Sequence, residues 1–305
     1  MSRRLFKLDP EPPPPPPPPH TIQELSELLE QRWKVEHRCR RQNLSLLKMV
    51  RAEWGATIAE DITGVDLQKF LVRRAEHKYA TATSNRILQV IRRMFSLAIE
   101  LQLGNLKWPG FKLPSEKGNE RKGFAKPAAM VTLLAELPDD GLREYAEWCW
   151  ITGMRKGEAS SLLWEWVSDG ELTVPAEFCK SRKPHTIQFG GALPAIIAKC
   201  RTRRAFEVNG IRQLSEYVFH RGDGQRIEEF RKSWSSAYTR AGCGNLLFHD
   251  LRRSAIRDLV RSGVGQSTAM KISGHQTASV FRRYDIIEGD DVQLALNKQK
   301  LYRAG

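Results

Sequence analysis

The sequence has no run of eighteen apolar residues, so a membrane-crossing helix is not expected. Its first residues, MSRRLFKLDPEPP, lack the apolar core of a signal peptide, which points to a cytoplasmic, reducing location. Cysteine is sparse and scattered: Cys39, Cys149, Cys179, Cys200 and Cys243 make an odd total with no CxxC spacing. That excludes a regular disulfide framework and argues against a structural zinc site. The chemistry-bearing motifs near the C-terminus also lack the paired carboxylates that would hold Mg²⁺, although Asp250 and Asp285 lie beside them. No metal and no cofactor are expected.

Positive charge is abundant. The 305-residue chain carries 49 Lys and Arg against 35 Asp and Glu, a formal charge of +14. From Thr21 to Asn105 the balance is 14 against 10, and from Leu106 onward it is 32 against 23, so both parts are basic, by +4 and +9. Excess charge on two folded segments, rather than on one tail, points to a polyanionic partner that both segments face. A merely solvated basic surface is the plain alternative.

The chain length suits two domains and a tail. Residues 1–20 contain Pro12 to Pro19, eight consecutive prolines that favour an extended polyproline rod, read as a stiff spacer or disordered arm. In residues 21–105 apolar positions recur at helical spacing, among them Leu25, Leu28, Leu29 and Trp33, and later Ile87, Leu88, Ile91 and Phe95. Four or five helices fit, with Thr21 and Thr83 as caps, a further helix beginning near Asp66, and Gly104 at a helix end. Residues 106–126 mix proline, glycine and charge and read as a linker. From Pro127 helical spacing returns. Two extended runs, Glu171–Pro175 and His185–Phe189, flank a charged turn and predict a hairpin with Lys180 and Lys183 near its tip. Helices are then expected over Leu193–Arg204, Ile227–Ala241, Leu251–Ser262 and Gln266–Ile272. The fold class is mainly α (α+β), with a small antiparallel sheet in the second domain. Trp150, Trp164, Trp166 and Trp234 are read as core residues rather than base-stacking platforms.

Within the second segment, TGMRKGE supplies Arg155, and FHDLRRSAIRDLVRSGVGQSTAMKISGHQTASVFRRYDI gathers His249, Arg252, His275 and Tyr284. Two guanidinium forks suit phosphate oxygens, two histidines can donate or transfer protons near neutral pH, and a tyrosine hydroxyl can act as nucleophile. His249 and Arg252 lie one turn apart at a helix start, where amide donors also point outward. Singly, each has a bland reading as a packing or surface residue. Together they are the parts of a phosphotransfer site.

The order TGMRKGEASSLLW, a lysine on a hairpin, HDLRRSA, a GH dipeptide and a tyrosine nine residues later resembles the tyrosine recombinase (phage integrase) family. The likeness covers about residues 21–290, and SNRILQVIRRMFSLAIE resembles the last helix of the family's core-binding domain. The resemblance implies a helical, SAM-like core-binding domain over 21–105, the linker over 106–126, a mixed α/β catalytic domain over 127–290 and a C-terminal tail over 291–305. It implies that Arg155 and Arg252 clamp the scissile phosphate. Lys180, preferred over Lys183, protonates the departing 5′ oxygen, His249 and His275 assist proton transfer and stabilise the phosphate, Glu158 buttresses the site, and Tyr284 is the nucleophile.

The implied activity is metal- and ATP-independent cleavage and rejoining of double-stranded DNA through a 3′-phosphotyrosyl intermediate, by a homotetramer on paired sites, with no membrane partner. Integration or excision of a phage or mobile element is the leading role. Xer-like resolution of chromosome or plasmid dimers and a catalytically inactive DNA-binding regulator remain alternatives. The tail's apolar positions Val292, Leu294, Leu296 and Leu301 suit docking on a neighbouring subunit or on its own domain.

Overall fold

Helix starts in the first part of the chain are set by side chains that satisfy otherwise unpaired amides. In the computed structural model, which describes residues 18–116, 123–179, 181–244, 246–282 and scattered positions from 292 to 303, helix α1 spans Ile22–Val35. The Thr21 hydroxyl accepts from the Glu24 amide at 3.2 Å, and the Glu24 carboxylate accepts from the Thr21 amide at 2.9 Å. This capping box is repeated by Thr63 and Asp66 at the start of α3, Gly64–Glu76. Asp66 is therefore the third residue of its helix rather than the first. The remaining helices of this part are α2, Arg41–Trp54, and α4, Thr81–Glu100. Thr83 does not cap α4. The helix begins two residues earlier, with Ala80 at the capping position and no side-chain bond there.

Burial replaces the missing cap. Ile87, Leu88, Ile91, Met94, Phe95 and Ala98 of α4 are buried against α1, α2 and α3. They meet Ile22, Leu25, Leu29 and Trp33 of α1, Leu47, Val50 and Trp54 of α2, and Leu67 and Phe70 of α3. Each fully buried side chain of this size contributes about 1.5–3 kcal/mol. Arg51 joins α2 to α1, donating to the Ser26 hydroxyl at 2.6 Å and to Glu30 at 2.7 Å. Leu106 is buried in the same core, and Trp108, Phe111 and Leu113 pack against it. Buried Asn85 donates to the Pro114 carbonyl at 2.9 Å and to Glu116 at 2.8 Å. The first half of the expected linker is thus fastened to the helices before it.

The chain divides into two compact units, Met1–Glu120 and Arg121–Gly305. The second contains α5 (Pro127–Glu136), α6 (Leu142–Thr152), α7 (Lys156–Ser160), α8 (Leu193–Thr202), α9 (Arg231–Arg240), α10 (Asp250–Arg261), α11 (Gln266–Ser273) and α12 (Ala278–Phe281). Strands β1 (Val167–Ser168), β2 (Glu171–Val174) and β3 (His185–Gln188) form an antiparallel sheet in that order. Its register pairs Val174 with His185 and Leu172 with Ile187. Leu172, Val174 and Ile187 are buried, as period-two alternation requires.

A second hairpin, β4 (Ala205–Val208) with β5 (Ile211–Leu214), was not anticipated. Its turn is Asn209–Gly210, with φ of 53° and 77°, the left-handed pair that a type I′ hairpin needs. The Asn-Gly signal was present in the sequence but was masked by the helical pattern around it. Helix α9 also starts later than expected, at Arg231.

Helix α6 lies at the centre of this unit, packed against α5, α7, α8 and α10. Its Tyr145 ring stacks on Phe248 at 5.1 Å and meets Phe230 edge-on at 5.6 Å. Trp164 and Trp234 are buried, whereas Trp150 and Trp166 are only partly so. The Trp150 indole donates to Asp258 of α10 at 3.0 Å. Among the described residues, no helix is long and apolar enough to cross a membrane.

The buried face of α4 sets a stability test. Ile91→Ala is expected to cost about 2–5 kcal/mol in urea unfolding, and Ile99→Ala, at a 52% exposed position, no more than about 0.5 kcal/mol.

Candidate active site

The TGMR motif is a helix ending that aims a guanidinium. Thr152 is buried at the end of α6, and its hydroxyl donates to the Trp148 carbonyl at 2.7 Å and accepts from the Met154 amide at 3.2 Å. Gly153 follows in the left-handed region, φ 65°, with its amide on the Cys149 carbonyl. A Cβ there would lie 3.3 Å from the Ala255 methyl and 3.4 Å from Ser273 Cβ, so glycine allows both the turn and the close approach of α10 and α11. Met154 anchors the turn in the core. Arg155 then opens α7, and its Nη1 bonds Glu158 at 2.8 Å.

Arg252, on the first turns of α10, is 2% exposed. Its Nη1 donates to the Gly153 carbonyl and, at 2.7 Å, to the Ser273 carbonyl. Its Nη2 lies 2.8 Å from His275 Nε2. Ser273 Oγ donates to the Ala269 carbonyl at 2.7 Å and lies 2.8 Å from His275 Nδ1. The same Arg252 Nη2 lies 3.0 Å from His275 Nδ1. Burial, then the charges of Arg252 and Arg155, push His275 down to about 3. His275 owes its place to a Schellman ending of α11: its amide bonds the Met270 carbonyl at 2.9 Å, while Gly274, φ 67°, bonds Lys271.

His249 occupies the position immediately before α10, without a side-chain capping bond there. Its pKa is also lowered, by burial first and then by Arg252, with Arg253 and Arg155 acting in the same direction and Asp250 opposing them. Arg252 bonds the Gly153 carbonyl two residues before Arg155 and also the His275 ring, and His275 lines a cleft with Arg155, so the two arginines come to one region of the unit. Cationic neighbours and burial both disfavour the charged form of these rings. Buried Asp250 accepts from the Leu247 amide at 2.9 Å and holds the start of α10. Arg257 lies over the Phe124 ring at 3.5 Å, and Ser254 accepts from the Ala125 amide at 2.9 Å, fastening residues 123–126 to the same helix.

An open cleft of about 200 Å³ borders these groups, lined by Arg155, Glu158, Cys179, Ser181, His185 and His275, among others. Cys179 stays a thiol there, because burial pushes its pKa up. Lys180 lies between two cleft-lining residues in the sequence but is itself outside the described residues. Tyr284, with Arg283 and Asp285, is also outside them, as are most of the proline run and the tail positions Leu294 and Leu301. The described chain reaches Arg282, after Phe281 has packed edge-on against His275 at 5.6 Å. His185, which the sequence did not single out, bonds the α11 carbonyls with Nε2. Its only sequence signal was a polar residue opening a strand.

Residues 127–287, just over half of the chain, match the phage integrase family. The chain belongs to the phage integrase family. It is 27% identical over 187 residues to the integrase of Salmonella phage P22, a match that covers 58% of this chain and only 47% of that protein. This family member is similar in fold to lambda integrase, solved as a tetramer bound to a Holliday junction, with a TM-score of 0.69 at 19% identity over 88% of this chain and 81% of that one. It is equally similar to the Tn1549 transposon integrase in complex with circular intermediate DNA, with a TM-score of 0.69 at 14% identity over 90% and 99% of the two chains.

Two predictions follow from this geometry in the integrase-family unit. Gly274→Ala is expected to destabilise by more than about 1 kcal/mol, since it strains a positive φ and presses on the His185 ring; Gly190→Ala, with open space, serves as the control in thermal unfolding. Because His275 binds its proton less well folded than unfolded, its contribution is intact above about pH 6.5 and is lost as pH falls towards about 3. His275→Gln is expected to flatten that acid limb of the Tm-against-pH curve.

Proposed function

We propose that the chain is a site-specific DNA recombinase that integrates or excises a phage or mobile element, using a 3′-phosphotyrosyl intermediate. The single observation that carries this is that Arg252 bonds His275, which lines an open cleft together with Arg155. A scissile phosphate entering there meets fixed positive charge where the transition state gains negative charge. Neutral His249 accepts the phenolic proton of Tyr284 as its oxygen bonds phosphorus, the bond to the 5′ oxygen breaks, and that oxygen takes a proton from Lys180. The products are a tyrosyl-linked 3′ phosphate and a 5′ hydroxyl, and attack by another 5′ hydroxyl reverses the step. The strand is rejoined without ATP because the bond energy is retained.

Arg252 is engaged beneath His275, so direct contact with phosphate requires it to exchange the imidazole bond. Arg155 is more accessible, at 33% side-chain exposure, and Glu158 holds its direction. The first helical unit serves as a core-binding domain, with exposed Arg40, Arg41, Lys48, Arg86 and Arg92 meeting DNA phosphates. Assembly as a homotetramer on paired double-stranded DNA sites is supported by the fold shared with lambda integrase, solved as a tetramer bound to a Holliday junction. Integration or excision is preferred to dimer resolution because the P22 and Tn1549 relatives are integrases.

A nicked suicide duplex, from which the cleaved 5′ strand diffuses away, tests the chemistry. The wild type is expected to accumulate a covalent protein–DNA adduct. Tyr284→Phe should bind DNA but give none, and Arg155→Ala should slow adduct formation by about 10²–10³. Binding without any wild-type adduct would favour the regulator instead.

A further inference from the structure

Ser273, the last residue of α11, is buried, and a Cβ on Gly153 would lie 3.4 Å from its own Cβ. An alanine would fill that contact as well and favour the helix more, since a serine that bonds the carbonyl four residues back weakens a helix slightly. What the hydroxyl adds is a second partner. Oγ donates to the Ala269 carbonyl at 2.7 Å and lies 2.8 Å from His275 Nδ1. The backbone carbonyl of the same residue accepts from Arg252 Nη1 at 2.7 Å. Ser273 therefore touches both the guanidinium and the imidazole of the site, by different atoms.

Phe281 meets the His275 ring edge-on at 5.6 Å, and Arg252 Nη2 lies 3.0 Å from Nδ1 and 2.8 Å from Nε2. A donor nearly equidistant from the two nitrogens does not fix which of them it uses. The Ser273 hydroxyl reaches Nδ1, so it distinguishes them. We propose that Ser273 is a positioning residue whose hydroxyl holds Nδ1 of His275 and so leaves Nε2 as the nitrogen that serves Arg252 and the cleft. This rests on the function proposed above. His275 lines the cleft with Arg155, whereas Ser273 acts on the reaction through the ring. A ring released from the hydroxyl offers either nitrogen, and misplacement of such a group by about 1 Å can cost roughly a hundredfold in rate.

Ser273→Ala isolates the hydroxyl, because the backbone carbonyl that holds Arg252 remains. In protein labelled with nitrogen-15 histidine, the His275 ring signals are identified by their loss in His275→Gln. Ser273→Ala should move the Nδ1 signal of that ring, and Ser96→Ala, which removes a bond to the carbonyl four residues back at an exposed site, should leave it in place. On the nicked suicide duplex at saturating DNA, Ser273→Ala should form adduct about tenfold to a hundredfold more slowly, with DNA affinity within about twofold of wild type. An unmoved Nδ1 signal, an unchanged rate, or a loss of DNA affinity as large as the loss of rate overturns the positioning role and leaves the recombinase reading standing. No adduct from the wild type overturns both.

Discussion

A guanidinium buried from water must be satisfied on nearly every side, because an unpaired buried charge costs several kcal/mol. Arg252 meets this demand by joining three separate pieces of chain: the Gly153 carbonyl after α6, the Ser273 carbonyl ending α11, and the His275 ring. Neither of those helix endings could shift without leaving the charge exposed to a low-dielectric interior. The placement of Arg155 and His275 therefore depends on how Arg252 is solvated by the protein. Both helix endings are glycine-terminated, and at Gly153 a side chain would press on Ala255 and Ser273, the neighbours of that same network.

The electrostatic consequence is a site poised for an anion. Burial first, and then arginines that stay charged at all relevant pH, lower the pKa of His249 and His275. A phosphate monoanion between them would reverse part of that effect, stabilising protonated imidazole once a proton has been taken up. A neutral ring before substrate and a more basic ring with it is the order a general base needs. The buried carboxylate of Asp250 limits the penalty at the start of α10 by bonding the Leu247 amide and the Arg253 guanidinium.

The hairpin contributes from a different direction. Its strands are short, so pairing of β2 with β3 sets register but leaves the sheet's position on the helices to side chains. Leu172, Val174 and Ile187 bury one face, and His185 bonds the end of α11. Burial pushes up the pKa of Cys179 in the adjoining turn, which disfavours its thiolate.

Much of this was legible in the chain because motifs here are local. Thr-Gly-Met-Arg encodes a helix stop and a projecting arginine, Gly-His encodes a second stop, and periodic leucines and isoleucines encode the helical first unit; all depend on neighbours within a few residues. The Asn-Gly turn at 209–210 is equally local, but its strands carry no burial pattern that marks them as a sheet, since all of β5 is exposed. The roles of Thr83 and Asp66 were missed because capping depends on where burial lets a helix begin. The protonation of the histidines, the engagement of Arg252 and the reach of His185 to α11 were decided by tertiary structure alone. They arise from contacts between residues 21 to 99 positions apart, and desolvation and charge act through space rather than along the sequence.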